Sequence, residues 1–131
     1  RKEEKMKVLR FAIAILVIMC LFIGVHSYVM ANMGKSMTQK NTRTQELAYS
    51  EDWEGVSKLL SEIHTEWEKY RFWASLTIST HEIEELELSL QQAEAFAYLK
   101  QKTDFLGEFI MFSKLIEHIP HREGFHIEEI F

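Results

Sequence analysis

Apolar residues are distributed along this chain in two regimes. Residues 11 to 34 run for 24 positions without Asp, Glu, Lys or Arg. From residue 51 onward, apolar residues recur three or four positions apart among charged ones, as on one face of a helix. A helix rising 1.5 Å per residue carries the first regime about 36 Å, enough to cross a hydrocarbon core of about 30 Å. In lipid each peptide group must be satisfied within the segment, so residues 11–33 predict a helical transmembrane anchor. His26 and Tyr28 fall toward its far interface, where an amphipathic ring is favourable. Residues 34–50, GKSMTQKNTRTQELAYS, lack sustained apolar spacing and predict a polar stalk, either loose or continuing the anchor helix.

The second regime predicts three helices. Ser50 is positioned to cap a helix whose first residues, Glu51 and Asp52, suit the positive helix start. Its seam is Trp53, Val56, Leu60, Ile63, Trp67, Tyr70 and Ala74. Ser79 and Glu82 have the spacing of a capping box and open a second helix. That helix has Ile83, Leu86, Leu90, Ala93 and Ala97 as its seam, with Leu88, Phe96 and Leu99 widening the apolar side. Thr103 is positioned to cap a third, carrying Phe105, Phe109, Phe112, Ile116 and Ile119, and Pro120 is expected to stop it. Beyond it, Phe125, Ile127, Ile130 and Phe131 are expected to dock as a short final turn.

The predicted fold is all-α: an N-terminal transmembrane helix, then a small antiparallel three-helix bundle (51–131) with a short C-terminal helix or turn. Trp53, Ile63, Trp67, Leu86, Leu90, Phe109 and Phe112 are the expected core.

Composition adds sidedness. Residues 1–10 hold five basic residues against two acidic, so this tip carries +3 and the remainder −8 of the overall −5. An acidic body repels phosphates, which argues against nucleic acid as a partner. With Arg1, Lys2, Lys5, Lys7 and Arg10 before the span and only Lys35, Lys40 and Arg43 soon after, the tip is expected in the cytoplasm. The bundle is then outside a bacterial cell membrane. A cleaved signal peptide is the alternative, but the bulky Met30 spoils YVMA as a cleavage site. Cys20, the sole cysteine, lies inside the apolar run and excludes an intrachain disulfide.

The order W-x2-V-x3-L-x2-I-x3-W-x2-Y from Trp53 to Tyr70, then HEIEELELSL, LIEHIP and the ending IEEIF, resembles a family of membrane-anchored proteins. They come from Gram-positive, largely spore-forming bacteria and are classed as a domain of unknown function. The resemblance spans nearly the whole chain and implies neither an activity nor a cofactor. It does imply a multi-pass membrane protein as partner.

Three groups of residues carry candidate chemistry. In HEIEELE, His81, Glu82, Glu84, Glu85 and Glu87 place carboxylates three or four positions apart, as cation ligands on a helix must be. The plainer account is that acidic residues complement the helix dipole. Glu87, between Leu86 and Leu88, is expected at the core edge, paired with Lys69 or Arg71. His118, His121 and His126 form a second group, suited to a pH response more than to zinc, since Pro120 separates them. The third is WEKYRFW, whose aromatics cannot all face one seam because successive helix positions turn by about 100°. Phe72 or Trp73 is therefore expected partly outside it, available to a partner or to lipid.

No nucleophile elbow, HExxH zinc motif, phosphate-binding loop or dinucleotide fingerprint occurs in the sequence, and catalysis is not expected. The expected function is that of an anchored interaction module, an accessory subunit of another membrane protein. Its candidate surface is Arg71, Phe72, Trp73, Glu82, Glu84, Glu85 and Glu87, with no metal or cofactor. A cation- or pH-responsive sensor using the acidic segment and the histidines is the alternative. A weak hydrolase using Glu84 and Glu87 is a third reading.

Overall fold

The computed structural model describes residues 1–130, with side chains described through residue 119. Four helices follow in order: α1 (Lys2–Tyr49), α2 (Trp53–Ser75), α3 (Thr80–Tyr98) and α4 (Lys102–Ile130). No strand occurs among the described residues. Each helix packs against two others in a ring, α1 on α2 and α4, and α3 on α2 and α4. Cross-links between α1 and α2 join Asn32 to Tyr70, Lys40 to Glu66 and Leu47 to the turn at Asp52, so the pair is antiparallel. Short connections make the remaining neighbours antiparallel as well.

The bundle thus has four helices where the sequence predicts three, and the difference lies in α1. Residues expected to form a stalk are helical and packed. His26, Met30, Met33, Gly34, Met37, Asn41, Thr44 and Ala48 are buried, at spacings that keep them on one face. This seam also takes in the last two turns of the expected anchor. A row of Met, Asn, Thr and Ala lacks the Leu, Ile and Val signature of a core helix, yet flexible Met side chains fill an irregular core well. Ahead of it, every residue from Arg1 to Val25 is exposed. A single helix, about 70 Å long, therefore has a free apolar half and a packed half.

The other three seams lie where their spacing predicts, except that Trp53 and Tyr70 are half-buried at the edge of the core. Val56, Leu60, Ile63, Trp67 and Ala74 of α2 are buried, as are Ile83, Leu86, Leu90, Ala93 and Ala97 of α3 and Phe105, Phe109, Phe112, Ile116 and Ile119 of α4. Phe105 and Phe109 stack with ring centroids 5.3 Å apart, and Trp53 meets Phe105 edge-on at 5.8 Å. Leu88 and Leu99, expected to widen the apolar side of α3, are exposed.

Turn chemistry departs from expectation in places. Asp52, not Ser50, caps α2, accepting from the Gly55 amide, while the Ser50 hydroxyl donates back to the Leu47 carbonyl. Glu51 closes that turn with φ 59° and Lys100 the α3–α4 turn with φ 58°, the left-handed region that disfavours side-chain-bearing residues. At α3 the Ser79–Glu82 capping box is complete in both directions. The helix α4 begins at Lys102, ahead of Thr103, and continues through Pro120 to Ile130, so no separate terminal turn occurs among the described residues. A proline removes one rung of the hydrogen-bond ladder and need not end a helix. The expected docking of Phe125, Ile127, Ile130 and Phe131 falls outside the described side chains.

Candidate functional site

The end of the bundle from which the apolar half of α1 departs is built by the last turn of α2, residues 76–79 and the first turns of α3. Trp73 is its pivot. Its ring lies 5.9 Å from Phe22 and from His26 of α1 and 5.8 Å from Phe72, centroid to centroid. The Nε2–H of His26 donates to the Trp73 carbonyl at 2.8 Å, giving this main-chain acceptor at the end of α2 a second donor beside the Leu76 amide. Trp73 is consequently half-buried, whereas Phe72, one position before it, is 63% exposed. The turn between consecutive helix positions separates them as expected.

Of the remaining candidate residues, Arg71 and Glu87 form an ion pair between α2 and α3. The Trp67 indole N–H also donates to Glu87 at 3.3 Å. Glu87 thus edges the core with Arg71 as its partner, one of the two cations expected. Glu82 is engaged in the capping box, and Glu84 and Glu85 are exposed, with Glu85 3.7 Å from the His81 imidazole. Arg71, Phe72, Trp73, Glu82, Glu84, Glu85 and Glu87 therefore line one end of the α2–α3 side. Among the described residues no three His, Cys, Asp or Glu side chains are grouped to hold a metal ion. His118 is exposed on α4, and the side chains of His121 and His126 lie outside the described residues.

Sequence reasoning missed His26 and Phe22 as partners of Trp73, because nearly fifty residues separate them. It also missed His64. That imidazole bridges two helices, Nε2 to Glu68 and Nδ1 to Glu94, both at 3.1 Å. An open groove of about 430 Å³ between α2 and α3, lined by Ser57, Ser61, His64, Thr65, Glu94 and Tyr98, runs beside it. The i,i+4 spacing of His64 and Glu68 was legible; the reach to Glu94 was not.

One helix among the described residues, α1, is long and apolar enough to cross a membrane. No curated protein and no solved structure matches the chain. The family model for Domain of unknown function (DUF4363) matches residues 25–130, the entire bundle including the packed half of α1. Since that match covers well over half of its length, the chain belongs to the DUF4363 family.

Proposed function

We propose that the chain is a single-pass membrane-anchored module, its basic tip in the cytoplasm and its bundle outside, serving as an accessory subunit of a multi-pass membrane protein. The observation that carries this reading is the division of α1 into an exposed apolar half and a buried half within one unbroken helix. Fifteen consecutive residues from Phe11 to Val25 are exposed, a cost in water that lipid removes. Retention of the anchor is supported by the same continuity, since cleavage after Ala31 would take His26 and Met30 out of the core.

A partner held in the same membrane meets the near end of the bundle first. The exposed Glu84 and Glu85, beside the Arg71–Glu87 pair, offer it a charge preference. Affinity purification from detergent extracts, comparing the native chain with Glu84→Lys/Glu85→Lys, tests this. Recovery of a multi-pass protein with the native chain and its loss with the charge-reversed one is the expected outcome. Isolation of the native chain by itself contradicts the reading.

A second reading, a pH-responsive module, is favoured by His64. An imidazole that faces a carboxylate at each nitrogen donates to both only when protonated. A melting temperature that stays flat over about pH 5 to 8, or that moves equally in His64→Gln, removes it.

A further inference from the structure

The part of α1 whose residues are all exposed is too short for the bilayer it is proposed to cross. That part runs from Phe11 to Val25; at His26 the helix enters the bundle, and past it one face, which includes Ser27, Tyr28 and Ala31, stays free. Fifteen helical residues extend about 22 Å, roughly 8 Å less than the hydrocarbon core. The shortfall falls where Phe22, well inside the exposed stretch, touches Trp73, which places the end of α2 at the depth of lipid-facing residues. Just beyond, Phe72 and Leu76 are 63% and 47% exposed.

We infer that the end of the bundle at Phe72, Trp73 and Leu76 is seated in the headgroup and outer acyl layer of the bilayer, making up the length that α1 lacks. This inference rests on the membrane-anchored reading above. Aromatic rings favour that layer, and each large apolar side chain moved out of water adds to the binding. The side-chain hydroxyls of the segment tolerate the move because they are already engaged. Ser75 Oγ donates to the Phe72 carbonyl, Thr77 Oγ1 donates to the Ala74 carbonyl, and Ser79 Oγ accepts from the Glu82 amide. Insertion is shallow, since Glu84 and Glu85 follow within two turns of the start of α3 and Glu117 lies at the same end of α4, and their charge stays in water.

Nitroxide labelling in phosphatidylcholine–phosphatidylglycerol vesicles tests the placement. Labels go on the native Cys20, on Leu76→Cys in a Cys20→Ala background and, at the opposite end of the bundle, on Tyr98→Cys in that background. Collision with oxygen relative to a water-soluble nickel chelate reports depth. The expected result is a ratio at position 76 several-fold above that at 98 and approaching that at 20. If position 20 reads lipid while 76 reads water like 98, the collar is overturned and the anchor stands. The missing length would then come from Val8 and Leu9, with Lys7 and Arg10 reaching back to the surface. If positions 20 and 76 both read water, the anchor reading falls together with it. Should Leu76→Cys lose helicity, the same label on Phe72→Cys gives the same reading.

Discussion

The imidazole of His26 donates to the main-chain carbonyl of Trp73 across 2.8 Å, joining the point where α1 enters the bundle to the point where α2 ends. With the ring contact between the same two residues, it fixes the exposed half of α1 to the bundle without a hinge. Replacing His26 with Ala removes the donor and leaves the carbonyl with one partner fewer. The Leu76 amide still donates to it, so the expected cost is about 0.5 to 1.5 kcal/mol. Amide hydrogen exchange should speed up first at residues 72–76, with little change near Leu47. Uniform acceleration over the whole bundle would contradict a local clamp.

Trp67 is 2% exposed at the centre of the α2 seam, and its indole N–H also reaches Glu87. Trp67→Ala empties a large volume and should cost about 3 to 5 kcal/mol in chemical denaturation of the detergent-solubilised chain. Trp67→Phe, which keeps most of the ring volume, should lose clearly less. Equal losses would argue that the hydrogen bond to Glu87, and not packing, is what matters.

Asn41 is buried between Met37 and Thr44 on the α1 seam, and among the described residues neither of its amide atoms has a hydrogen-bond partner. A buried amide left unsatisfied costs about 1 to 3 kcal/mol, so Asn41→Leu should raise the melting temperature. A lowered melting temperature would show that the amide is hydrated or bonded in solution.

Glu51 and Lys100 hold left-handed backbone at the two helix turns farthest from the exposed half of α1. Glycine adopts that conformation without the side-chain clash, so Glu51→Gly and Lys100→Gly should each stabilise by about 0.5 to 1 kcal/mol. Thermal melting of the two single variants and the double variant checks this. Gains that fall short of additive would report coupling through the Lys102 ammonium, which lies over the Tyr49 ring and joins the two turns.

Three of the four helices were legible because their seams repeat strongly apolar side chains: Leu60, Ile63 and Trp67 in one, Leu86 and Leu90 in the next, Phe105, Phe109 and Phe112 in the last. The Ser79–Glu82 box was legible because both partners lie within one turn. The fourth bundle helix was not, since Asn41 and Thr44 interrupt its seam and its beginning is merged with the apolar span at Met30 and Met33. Pro120 misled because one missing donor does not decide a helix when both flanks favour it. At the candidate site, the exposure of Phe72 followed from helix geometry and the Arg71–Glu87 pair from charge. The contacts of Trp73 with Phe22 and His26 depend on the folded pairing of α1 with α2, to which local spacing is blind.

The central claim is that lipid surrounds the free half of α1 and that the bundle lies outside the cell. Tyr98, 85% exposed as the last residue of α3 at the end of the bundle away from the span, provides the site at which to measure it. A chain carrying Cys20→Ala and Tyr98→Cys, expressed in intact bacterial cells, is exposed to a membrane-impermeant maleimide. Labelling without lysis is the predicted result; labelling only after the cells are broken would contradict the account.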